Sequence, residues 1–137
     1  MRISVDVRIH APLQTVWRAY TTPADIMQWN AASDDWHTTA ASVDLREGGQ
    51  FCSRMEAKDG SFGFDFEGTY TRIVEQQLIE YSFGDRAAEV TFSASPEGVL
   101  VSVVFDAESS HSEAQQREGW QAILNNFKRH VESSVRS

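Results

Sequence analysis

Residues 112–131 read SEAQQREGWQAILNNFKRHV, and this stretch decides the fold. Trp120, Ile123, Leu124, Phe127 and Val131 recur at the spacing of one α-helical face, with Gln121, Asn125, Lys128 and Glu132 on the other. Ser110 or Ser112 can cap the start, because a serine hydroxyl accepts a hydrogen bond from a free N–H of the first turn. Glu113 or Gln115 stands three residues later as the reciprocal partner. Glu113 at the amino end and Lys128, Arg129 and His130 at the carboxyl end complement the helix dipole. Almost everything between Trp36 and Asp106 reads as strand, and a long amphipathic helix after a run of strands must lay its apolar stripe on their sheet.

Working outward, Ile3, Val5, Val7 and Ile9 alternate with Arg2, Ser4, Asp6 and Arg8, the period-two pattern of a strand with one buried face. Pro12 opens a short helix with Val16, Trp17 and Tyr20 on its apolar side. Pro23 opens another carrying Ile26, Met27 and Trp29. From Trp36 the pattern is strand again: Ala41, Val43 and Leu45 alternate up to Gly48 and Gly49, and Phe51, Ser53 and Met55 resume it as a hairpin partner. After the turn at Lys58, Asp59 and Gly60, Phe62, Phe64, Phe66, Gly68 and Tyr70 fall on one face of a long strand. Strands follow at Leu78 to Phe83, Ala88 to Ala94 and Val99 to Phe105, separated by turns at Gly84-Asp85 and Pro96 to Gly98. Strands joined by short turns meander, so the sheet is expected to be antiparallel.

The totals bound the function. A chain of 137 residues suits one domain, expected to span 1–137. No apolar run approaches the ~20 residues of a membrane span, and MRISVDVRIH lacks the apolar core of a secretory signal. One cysteine, Cys52, makes no internal disulfide, which fits a cytoplasmic protein. A net charge of −8 with scattered Lys and Arg argues against nucleic-acid binding. Oligomeric state is open, a homodimer included.

The order of strand, two short helices, antiparallel strands and one long helix resembles the helix-grip, START-like (SRPBCC) architecture, an α+β fold in which a curved sheet wraps the last helix and leaves a cavity. Local motifs narrow the resemblance. APLQTVWRAYTTPADIMQW at 11–29, DLREGGQF at 44–51, FEGTY at 66–70 and Glu118-Gly119-Trp120 leading to Leu124 are similar to the family of activators of heat-shock protein 90 ATPase. The superfamily includes lipid carriers, polyketide cyclases, hormone receptors and chaperone regulators, so the resemblance implies a scaffold and leaves the chemistry to the site.

Individual candidates for chemistry are weak. His37, beside Trp36 at the start of a strand, has no catalytic partner in sequence. His10, His111 and His130 stand singly, and no cluster has metal-ligand spacing, so neither metal nor cofactor is expected. Gly48-Gly49 lies between strands and reads as a turn. Cys52 lacks a nearby base, and Asp65 and Glu67 alternate with the aromatic face and point to solvent.

The aromatic content carries more. Trp29, Trp36, Phe51, Met55, Phe64, Phe66, Tyr70, Tyr81, Phe83 and Trp120 are core fillers or pocket walls. The architecture, together with Gly68 as a missing side chain on the aromatic strand, favours a pocket. Tyr70, Tyr81 and His37 would be its polar groups, and Leu124 part of its helical wall. The expected function is binding of a hydrophobic or aromatic small molecule. The rivals are a chaperone-binding module and a cyclase-like or hydrolase-like enzyme, the latter needing convergent titratable groups for which only His37 and Arg54 qualify.

Overall fold

Alternation of inward apolar and outward polar residues builds a seven-stranded antiparallel sheet ordered β1-β7-β6-β5-β4-β3-β2 in the computed structural model. The structure describes residues 1–136, with side chains through Ser134. The strands are β1 (Arg2–Ile9), β2 (Trp36–Val43), β3 (Gln50–Ala57), β4 (Gly63–Val74), β5 (Leu78–Phe83), β6 (Arg86–Ser95) and β7 (Gly98–Asp106). Helices α1 (Leu13–Thr21) and α2 (Pro23–Trp29) join the two edge strands, and α3 (Glu113–Arg136) follows β7. The sheet curls into a half-barrel around α3, an α+β helix-grip fold.

Two irregularities assist the curl. The β2–β3 register shifts between Thr38 and Ala40, and the β4–β5 register shifts between Tyr70 and Arg72. An extra residue on one strand bends it and increases its twist. It also reverses which residues face inward, so Tyr70 and then Ile73 pack against the core while Thr71 and Arg72 are exposed. The aromatic face expected from Phe62 to Tyr70 is correspondingly uneven. Phe62 lies before the strand and is 62% exposed, and Phe64 is 40% exposed. Leu45 falls past the end of β2 and is likewise exposed.

Helix α3 begins as a capping box. The Ser112 hydroxyl accepts from the Gln115 N–H at 3.1 Å, and the Gln115 amide oxygen accepts from the Ser112 N–H at 3.1 Å. Ser112 with Gln115, and not Ser110 with Glu113, therefore starts the helix. Buried Gln116 organises the preceding loop, accepting from the Glu108 N–H at 2.8 Å and donating to the carbonyls of Glu108 and His111. Of the expected stripe, Leu124, Phe127 and Val131 are buried, whereas Trp120 and Ile123 are half-buried. Phe127 meets Tyr20 and Trp29 edge-on at 5.1 and 4.8 Å, so α1, α2 and α3 converge on one ring.

This difference along the stripe is measurable. Phe127→Ala empties a filled site and is expected to cost roughly 3 to 5 kcal/mol. Trp120→Ala should cost less, roughly 2 to 3 kcal/mol, because it enlarges an existing space. Chemical denaturation of both variants is the test, and equal large losses would mean the helix packs solidly along its whole length.

Candidate functional site

Between the inner face of the sheet and the first half of α3 lies a cavity of about 540 Å³, within the size range of small-molecule sites. Strand parity supplies its floor: Phe51 from β3, Phe66 and Tyr70 from β4, and Ile79, Tyr81 and Phe83 from β5. Gly119, Trp120, Ile123 and Leu124 of α3 form its roof, and Tyr20, Ile26 and Trp29 of the short helices its side. Ring contacts hold these walls. Phe51 meets Tyr81 edge-on at 5.0 Å and Phe66 meets Phe83 at 5.5 Å, while Trp120 stacks on Phe105 at 4.0 Å and 8°. Trp29 is fixed by its indole N–H, which donates to the Ala19 carbonyl at 3.0 Å.

Trp29, Trp36, Phe51, Met55, Phe64, Phe66, Tyr70, Tyr81, Phe83, Trp120 and Leu124 all line this cavity, as their periodicities imply. His37 and Gly68 do not. His37 follows inward-facing Trp36 by one residue, so alternation turns it to a neighbouring surface groove that it shares with Lys58, Asn126, Arg129 and His130. Gly68 leaves no vacant space. A Cβ there would stand 2.3 Å from the Ser82 carbonyl oxygen and 2.8 Å from the Phe51 ring, which already covers the position. Arg54 is also outside, paired with Glu56 at 3.0 Å and Asp65 at 3.5 Å on the other face of the sheet. Cys52 is free, and its thiol is pushed upward, first by desolvation and further by Asp65 and Glu67, which disfavours a reactive thiolate.

Tyr20 and Arg86 belong to the site although sequence reasoning gave them no role there. Both were visible in the pattern. Tyr20 lies on the α1 face of Val16 and Trp17, and Arg86 has the parity of the buried residues Ala88, Val90 and Phe92. The chain's three tyrosines thus all line one cavity. None of their hydroxyls bonds to another described side chain or backbone group. No fully buried polar side-chain atom among the described residues lacks a partner, so these hydroxyls keep accessible surface on residues that line the cavity. Desolvation raises all three phenols: Tyr70 to about 12, with Asp44 adding to the effect, Tyr20 higher still, and Tyr81 well above its ordinary value, with neighbouring tyrosines adding for the last two.

The fold and the cavity define the chain as a START-like helix-grip protein. It belongs to the family described as Activator of Hsp90 ATPase homolog 1-like protein, whose model matches residues 10–132. It is similar to an AHSA1-like protein of Aeromonas hydrophila, at 48% identity and a TM-score of 0.93, over 100% of this chain and 96% of that one. A Cytophaga hutchinsonii protein is 40% identical with a TM-score of 0.83, over 98% and 94% of the two chains. A Nitrosomonas europaea protein at 17% identity and a TM-score of 0.87, covering 100% and 97%, shares the fold. Among curated proteins none matches.

Two tests follow from the geometry. A side chain at Gly119 meets nothing within 4 Å, whereas one at Gly68 meets backbone. Gly119→Ala should therefore stabilise the protein by up to about 1 kcal/mol through helix propensity, and Gly68→Ala should destabilise it. Thermal melts with the same sign for both would contradict this packing. The second test is alkaline titration. A phenol whose folded pKa is raised contributes stability below its unfolded value near 10 that is lost as pH rises toward its folded value, about 12 for Tyr70. The tyrosinate ultraviolet band should stay absent at pH 10 and 11 and then appear together with unfolding. A half-titration near pH 10 in folded protein would place the tyrosines in bulk water.

Proposed function

We propose that the protein is a cytosolic single-domain carrier or sensor, spanning 1–137, that binds a flat, mostly apolar small molecule in the cavity between sheet and α3. The observation that carries this reading is that all three tyrosines, whose hydroxyls have no partner among the described residues, line one mostly apolar cavity. Apolar walls supply affinity without direction, and a few polar atoms orient the ligand. Free Cys52 suits the cytosolic setting. An enzymatic reading has less support. The titratable side chains along the cavity are the three phenols and Arg86, and phenols raised this far are poor bases near neutral pH.

A chaperone-binding role is the second reading, supported by the family's description and by one surface feature. Phe62 and Phe64, both exposed, gather with Trp36 at centroid separations of 5.9 to 6.3 Å. Pull-down with an Hsp90-type chaperone, comparing the parent with Phe62→Ser, tests that role independently of the cavity.

For the cavity, a ligand that binds only the folded state stabilises it by about 2.7 kcal/mol at a hundredfold excess over its Kd. Melting curves against fatty acids, flavonoid-like and polyketide-like compounds should therefore show upward shifts of several degrees, while sugars and nucleotides leave the curve unmoved. Gly119→Phe has room to build into the cavity and should abolish the shift while the protein remains folded. A panel without any stabilising compound would defeat the binding reading.

A further inference from the structure

Arg86 is the only Lys, Arg, His, Asp or Glu among the described residues that line the cavity, in a chain with 20 acidic and 12 basic residues. Arg2, Arg46, Arg54, Arg72 and Arg117 each have a carboxylate partner, and Arg86 has none. The side chain of Asp106, whose strand lies beside β6, is already engaged: its carboxylate accepts from the Arg2 side chain at 3.3 Å and from the Ala87 N–H at 2.9 Å. Asp85, next in the chain, is exposed on the β5–β6 turn and forms no ion pair among the described residues. Only the Asp106 backbone carbonyl meets Arg86, accepting from Nε at 3.0 Å, while the guanidinium carbon lies 4.6 Å from the Phe83 ring centroid.

These two contacts aim the group and leave its end free. A guanidinium pinned at Nε and supported on an aromatic face keeps the N–H groups of both terminal nitrogens, the fork that matches a carboxylate with two parallel hydrogen bonds. Electrostatics points the same way. A half-buried cation beside an apolar cavity, with no ion-pair partner among the described residues, favours an anionic ligand atom over any neutral one. The cavity's other polar side chains, the protonated tyrosines with Asn30, Ser33, Ser42 and Ser53, are neutral and contribute no opposing charge.

We propose that Arg86 is a specificity-determining anchor for the carboxylate of an apolar acid, fatty or aromatic, whose body lies under Trp120 and against Phe66 and Phe83. The proposal deepens the cavity reading above and rests on it. The anion pairs with the terminal nitrogens of Arg86, and the phenols are left to donate to any further oxygen on the ligand. An alcohol or ester of the same body keeps the apolar contacts and forfeits the ion pair.

Binding to the full chain is followed by tryptophan fluorescence and calorimetry, with dodecanoate against dodecanol and naphthoate against naphthylmethanol. The acids should bind roughly ten- to a hundredfold more tightly than the alcohols, the range for a charge-assisted hydrogen bond. Arg86→Met, which keeps an apolar stem over Phe83, should erase that preference while alcohol binding persists. Arg86→Lys, a point charge without the fork, should retain part of it. Because the acid-to-alcohol ratio is read first on the unmodified protein, the test stands even if a variant fails to fold. Equal affinities for acid and alcohol, or a preference that survives Arg86→Met, would overturn the anchor and leave the cavity reading in place. Failure of both series to bind would overturn both.

Discussion

A straight helix lying in a curved sheet cannot touch it equally along its whole length, and this mismatch is the constraint on which the rest of the molecule depends. At the far half of α3, Phe127 and Val131 are fully buried, with Tyr20 and Trp29 closing around Phe127. Toward the near half, Trp120 and Ile123 are only half-buried, and the space beneath them is the cavity. Packing at native density stabilises the first region. The second is tolerated because its walls are large rings that contact one another along the floor, so the missing volume does not propagate into collapse.

The same division assigns the polar groups. In a filled core a phenol hydroxyl finds a protein acceptor or imposes roughly 1 to 3 kcal/mol for the unmade hydrogen bond. Here none of the three hydroxyls has one among the described residues, yet none is sealed off. Three such groups on different elements, Tyr20 from α1, Tyr70 from β4 and Tyr81 from β5, are hard to explain as packing alone. Phenylalanine would fill the same space with the desolvation cost removed.

Most of this was legible from period alone. The ends of β5 and the inward faces of β1, β6 and β7 follow directly from alternation, because the pairings β1–β7, β7–β6 and β6–β5 run without a register shift. The departures occur where a side chain's surroundings are set by a neighbouring strand. Gly68 was correctly placed within the aromatic strand, but that Phe51 lies over it and Ser82 presses behind it is a cross-strand fact that no spacing within β4 encodes. Bulges at 38–40 and 70–72 likewise reverse parity without an obvious glycine or proline to announce them. His37 is different: the alternation that turns Trp36 inward turns His37 away, so the information was present and was outweighed by the chemistry of the imidazole.

The polar side of α3 completes the argument, because it is not merely solvated. Gln121 donates to the Asp6 carbonyl at 2.9 Å, and Glu132 accepts from the His10 N–H at 2.9 Å, so two side chains pair with the free edge of β1 and the residue that follows it. Unpaired edge groups invite association with other strands, and satisfying them from a helix removes that hazard. The two bonds also fix the helix lengthwise. From Gln121 to Glu132 a helix advances about 16 Å, and from Asp6 to His10 a strand advances about 13 Å, so long side chains bridge both points in only one register. A slide of one helical turn would break both bonds and drive Phe127 to the position of Ile123 and Leu124. The cavity's height is therefore held by hydrogen bonds outside the cavity, and substitutions in its lining can alter what it accepts without releasing the helix that roofs it.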